Sequence, residues 1–192
     1  GIGHDDGELF ELIELGGSTQ NALIESSGSG ALVLTNVVNV GTGARNFYLR
    51  GDLNAANEIT SALADGGGAL SVVKDDNGTW ILSGQSTFTG SMTLSAGPLG
   101  ISADSVGPVG AVTSSPVGVT RLIISNGSLF ALDGDRTLNT LVRFNANATA
   151  NFIGINSITL NALEGTTSGN NTTITNSLPT GRSCEDSVLP AT

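Results

Sequence analysis

The sequence predicts an all-β chain in which short strands are wound one above another into a coil. Three observations carry this. Apolar and polar residues alternate over short runs, the period of a half-buried strand. Glycine corners punctuate the runs, and no two-residue Asn-Gly hairpin signal folds Leu82 back onto Phe88. The composition is poor for helices. Gly occurs 27 times and charged residues make up only 12%, against roughly 25% in an average soluble protein, so Ser, Thr and Asn must cover the surface. Low charge also argues against charge-driven disorder, and regular alternation against a flexible linker.

Residues 1–7 are glycine-rich and acidic. Residues 8–15 (ELFELIEL) read as a strand. Glu8, Glu11 and Glu14 have near-helical spacing, but the run is too short for a stable helix. Residues 21–25 form the next apolar segment. Leu32 and Leu34 alternate before Val37 and Val38, and Gly41 and Gly43 mark a corner. Phe47 and Leu49 share a face opposite Tyr48. Ile59 and Leu63 follow as strand then turn, and Leu70 and Val72 face one way. The segment GALSV at 68–72 echoes GALVL at 30–34, as a stacked repeat would.

Residues 77–101 are the centre of the pattern. Trp80 and Leu82 form a run closed by Gly84, Phe88 begins one closed by Gly90, and Met92, Leu94 and Ala96 alternate before Gly97 and Pro98. These are three short strands of one turn, with Gly84, Gly90 and Gly97 as corners suited to positive φ. Residues 101–119 contain Pro108 and Pro116 and read as an irregular loop with one short strand at most. Alternation resumes at Leu122 and Ile124, turns at Asn126-Gly127, and continues through Val142 and Phe144. Ala148, Ala150 and Phe152 make a further strand, and Ile158, Leu160 and Ala162 another. The pattern loosens from Glu164. The division is therefore a β-solenoid over 1–163 and a tail, cap or inter-subunit arm over 164–192.

The central stretch resembles the autotransporter-associated β-strand repeat. Gly78, Thr79, Trp80, Leu82, Ser83, Gly84, Phe88, Thr89, Gly90, Thr93, Leu94, Ser95, Ala96, Gly97 and Leu99 match its pattern. Met92 and Pro98 stand where threonine is common. Asp133, Gly134, Arg136, Thr137, Leu138 and Asn139 resemble a further segment of the family. The resemblance implies a single-stranded, right-handed parallel β-helix on a bacterial surface or in a secreted protein. It implies no catalytic residue, because the repeat is a scaffold.

In such a coil each strand pairs with the rungs about 4.8 Å above and below, satisfying the backbone groups that a short strand alone would leave open. Coils of roughly 20–25 residues give seven or eight turns and a column about 35 Å tall. The predicted core is Trp80, Leu82, Phe88, Met92, Leu94, Leu122, Ile124, Val142, Phe144, Phe152, Ile158 and Leu160. Open stack ends are the usual hazard of solenoids. They motivate the expectation of head-to-tail self-association into a filament.

Candidate chemistry is sparse. A net charge of −10 with seven Lys and Arg residues gives no basic patch for nucleic acid, but fits an acidic extracellular surface. Asp75-Asp76 and Asp133-Gly134-Asp135 are carboxylate pairs of the kind that serve glycoside chemistry, yet both sit in turn sequences. His4 is the single histidine, with neither a nucleophile nor a second metal ligand at a recognisable spacing. GTGARN at Gly41 lacks the lysine and helix of a phosphate loop. Cys184 is the single cysteine, so no internal disulfide forms. Asn77, Asn126, Asn147 and Asn171 begin Asn-x-Ser/Thr acceptors, which an Asn- and Thr-rich chain also produces by chance. No apolar run is long enough for a membrane span, and no leader sequence is visible.

The expectation is a non-enzymatic structural solenoid, extracellular or on the cell surface, without cofactor or metal. Its partners would be copies of itself in a fibre. The alternatives are an adhesin or passenger fragment that binds surface glycan, and a polysaccharide-degrading β-helix enzyme.

Overall fold

Inward aliphatics at every second residue, repeated through successive short runs, build parallel faces around one apolar column. The computed structural model describes residues 12–18, 21–164, 172–177 and 184–186. In order the strands are β1 (Ile13–Leu15), β2 (Ala22–Glu25), β3 (Val33–Leu34), β4 (Val37–Asn39), β5 (Arg45–Arg50) and β6 (Asn57–Ile59). Then come β7 (Leu70–Lys74), β8 (Trp80–Leu82), β9 (Ser91–Leu94), β10 (Pro98–Ile101), β11 (Arg121–Ala131) and β12 (Arg136–Leu138). The last are β13 (Leu141–Phe152), β14 (Ile158–Leu160), β15 (Leu163–Glu164), β16 (Thr173–Asn176) and β17 (Cys184–Asp186). There is no helix among the described residues.

Three faces result. The first stacks β2, β5, β7, β9, the start of β11, the start of β13, and β15, every pair parallel. The second stacks β3, β6, β8, β10, the ends of β11 and β13, and β16. The third opens with β1 and β4 and closes with β12, β14 and β17. Residues 61–63 and 86–88 carry the third face between them through single backbone bonds. Thr87 N–H donates to Leu63 O at 2.8 Å, and Val119 N–H to Phe88 O at 3.2 Å. The fold is thus the parallel β-solenoid that the sequence predicts.

Seven strands on the first face mean six turns, fewer than the seven or eight expected. Ala22, Phe47, Val72, Met92, Leu122, Val142 and Leu163 lie one above another. Val72 to Met92 takes 20 residues, whereas Met92 to Leu122 takes 30. The long turn consumes chain without adding a rung to that face.

The structure departs from the sequence reading in three further places. Asn126-Gly127 is not a break between strands but a bend inside β11, where the register shifts between Ile124 and Asn126. Opposite it, Phe144 and Thr149 are the partners, so β13 carries three extra residues at the bend. A bulge thereby turns the corner without ending the ladder, and Val142 and Phe152 belong to one strand. Second, the two GAL segments lie on different faces. Leu34 pairs Ile59 on the second face, and Leu70 pairs Arg45 on the first. Third, only Gly97 of the three expected corner glycines has positive φ, at 68°. Gly84 and Gly90 are needed for closeness instead: a Cβ there would collide with the backbone oxygens of Ser61 and Leu70 in the rung below.

The insertion explains the long turn. Ser115 pairs antiparallel with Ser86, and Ser114 antiparallel with Val106. Ser105 N–H then donates to Thr137 O at 2.9 Å. A reversed excursion is therefore slotted into the third face between residues 86–88 and β12.

Candidate functional site

The column interior is built from aliphatic and aromatic side chains. Trp80, Leu82, Phe88, Met92, Leu94, Leu122, Ile124, Val142, Phe144, Phe152, Ile158 and Leu160 are all buried in one cluster. Each aliphatic contributes on the order of 1.5–3 kcal/mol. Trp80 uses its one polar atom as well, its indole N–H donating to Arg50 O at 3.1 Å.

Two cations sit in this interior, and the sequence reading passed over both. Lys74 occupies the inward column of Leu49 and Leu94, fully buried. It is the chain's single lysine. Its Nζ donates to the carbonyls of Asp75 (2.8 Å), Asp76 (2.8 Å) and Ala96 (2.9 Å), so one ammonium ties two rungs at a corner. Burial lowers its pKa to about 8, against the opposing pull of Asp76, Asp75 and Asp52. Arg45, also buried, donates to Leu15 O at 2.9 Å and to the carbonyls of Gly16 and Gly17. The signal for Lys74 was present: it follows Leu70 and Val72 in the same alternating phase.

The carboxylates are spent on structure. Asp75 pairs with Arg50 at 3.1 Å on the outer surface, and the Arg50 guanidinium lies 5.0 Å from the Tyr48 ring centre. Asp76 and Asp133 each adopt φ 58°, consistent with tight turns, and Asp76 accepts Gly51 N–H at 3.2 Å. Asp135 accepts Ser157 N–H at 2.8 Å. Asp65 caps a corner by accepting from Leu70 N–H, Thr89 N–H and Thr89 Oγ1. Burial would raise its pKa, but these hydrogen bonds outweigh burial and lower it. No group of three or more potential metal ligands occurs among the described residues. His4 lies outside those residues, as does the side chain of Cys184, whose backbone pairs with Ile158.

The outside offers two features. The inserted segment overhangs a cleft of about 280 Å³ lined by Val109, Ala111, Val112, Val119, Leu141 and Ala162 among others. Outward-facing strand positions form ladders up each face, such as Leu23, Tyr48, Val73, Thr93, Ile123 and Arg143 on the first. Such a surface can present a repeating array to a partner.

No family model matches the chain, and no solved structure matches it. The chain is similar to the adhesin BmaC autotransporter of Brucella suis biovar 1 (strain 1330), 36% identical over 121 residues. That similarity, joined to the three-sided parallel stack, supports a passenger-type β-helix of the autotransporter kind. The matched region is 60% of this chain but only 3% of that relative's length. The alternating interior runs through all three faces. Within 164–192, β16 and β17 add parallel strands to the second and third faces, and all four residues of β16 are exposed.

Proposed function

We propose that the chain is a length of non-enzymatic scaffold in a bacterial cell-surface or secreted adhesin-like passenger, presenting its outer ladders to glycan or a host surface. The carrying observation is the 121-residue similarity to an autotransporter adhesin, joined to a continuous three-sided stack. Purified chain applied to a glycan array and to host cells tests it. Saturable binding by the monomer is the expected result, and its absence on both would overturn the adhesive reading. A fibre of head-to-tail copies is the second reading. It is favoured by β2, β3 and β16, each of which has a strand on one side only among the described residues. Electron microscopy of the same preparation separates the two, since filaments support stacking and dispersed particles count against it.

A further inference from the structure

The three glycosylation-type acceptors within the described residues come together on a single edge of the solenoid. Asn77-Gly78-Thr79 precedes β8, Asn126-Gly127-Ser128 lies at the bend of β11, and Asn147-Ala148-Thr149 lies at the bend of β13. All three are at the corner between the first and second faces. The register makes this specific. Lys74 pairs Leu94 and Trp80 pairs Leu99, so the corner that holds Asn77 lies directly beneath the one that holds Ala96-Gly97-Pro98. Pro98 pairs Ser128, so Asn126 stands over Ala96. Asn77 and Asn126 therefore lie at the same corner two rungs apart, Asn77 just after the positive-φ residue Asp76 and Asn126 just before the positive-φ residue Gly127, with Ala96-Gly97-Pro98 between them.

We infer that this edge is a site of N-linked glycosylation, with Asn77, Asn126 and Asn147 as acceptors. Each asparagine is exposed. Corner geometry alone accounts for Asn-Gly, because the turn favours those residues. It does not call for a hydroxyl two residues later, since the intervening rung turns the corner with Pro98 opposite Ser128. The acceptor pattern needs that hydroxyl, and Thr79, Ser128 and Thr149 supply it. Spacing is also compatible. A pyranose ring is wider than one rung of about 4.8 Å, and alternate rungs leave roughly twice that. Asn147 is the one acceptor on the rung next to Asn126, and there the three-residue bulge of β13 carries it away from the ladder. It adopts φ 59° at the tip. Asn126 accepts Thr149 N–H through its side-chain oxygen at 3.2 Å, whereas the modification uses its nitrogen.

The donor is a sugar held through its anomeric carbon to a phosphate. The asparagine Nδ2 attacks that carbon, a C–N bond forms, the C–O bond to phosphate breaks with its electron pair, and the amide proton passes to a base of the transferase. The inference does not depend on what the passenger adheres to.

The test is peptide mapping by mass spectrometry, with fragmentation that retains sugars, on chain isolated from the cells that naturally make it. Sugar on all three asparagines is expected. Thr79→Ala and Ser128→Ala should abolish it at Asn77 and Asn126 respectively and leave Asn147 modified, while Ser128→Thr keeps it. Unmodified asparagines at all three positions would overturn the inference, as would sugar found on hydroxyl groups or persisting in Thr79→Ala. Circular dichroism of each variant confirms that the stack has formed, so a loss of sugar is read from folded protein.

Discussion

Residues 70–101 and residues 102–120 follow one another in the chain but are held in different ways. The first stretch is regular coil, a little over one turn long. Leu70, Val72, Trp80, Leu82, Phe88, Met92, Leu94, Leu99 and Ile101 point inward and are buried, and the backbone pairs in parallel above and below. The second runs antiparallel, supplies one buried large aliphatic in Val117, and relies on hydroxyl groups. Ser105 Oγ donates to Ser115 Oγ at 3.1 Å, Thr140 Oγ1 to Gly118 O at 3.0 Å, and Ser86 Oγ accepts Leu63 N–H at 3.0 Å. Ser86, Ser115 and Thr140 are as buried as the aliphatics they replace. A regular turn is held by area removed from water. The inserted one is held by a polar network that must be complete, since a buried hydroxyl without its partner costs about 1–3 kcal/mol.

The sharpest way to break the contrast is Trp80→Ala. A fully buried ring in the regular turn should cost about 3–5 kcal/mol, read as a lowered urea midpoint; a loss comparable to a surface substitution would show that the column is not the source of stability. Lys74 gives the next effect, and it depends on pH. Its folded pKa is lowered to about 8 from 10.5. Between those values the unfolded chain holds a proton that the folded chain does not, so stability rises with pH through that window, by up to about 3 kcal/mol. Urea unfolding at pH 7 and pH 10.5 should show the gain in the native chain and not in Lys74→Met. Equal slopes in both would remove Lys74 as the cause.

Within the insertion, Ser115→Ala should destabilise by about 1–2 kcal/mol, because Ser105 Oγ and Val117 N–H both lose a partner. Amide exchange should show the loosening confined to residues around 86–88 and 102–120. Loosening spread through residues 70–101 would mean that the two regions are one cooperative unit. Smallest of all is Val109→Ser on the exposed tip of the insertion, expected within about 0.5 kcal/mol in thermal melts.

Much of the regular part was legible because alternation and burial coincide there. Leu70, Val72, Met92 and Leu94 announce their face by period two alone. The third face was harder. Leu63 and Phe88 are inward, yet each stands in a segment too short to show a period. The inserted excursion could not be read as antiparallel, since nothing local in residues 105–115 says which neighbour Ser115 will meet. The repeated GAL word misled because similar composition serves different faces, and register is set by the corners. Gly84 and Gly90 were legible as corners, but their reason is the rung beneath, which a linear pattern does not display. Lys74 was hidden by its chemical class, for its phase was right and its charge spoke against the interior.

That the one lysine lies inside the column gives the molecule a built-in reporter. The described surface of the folded chain presents no side-chain amine to an acylating reagent, so slow modification of Lys74 would time the parting of two adjacent rungs at their shared corner. Few scaffolds allow a single bond-forming event to be read as the breathing of one layer against the next.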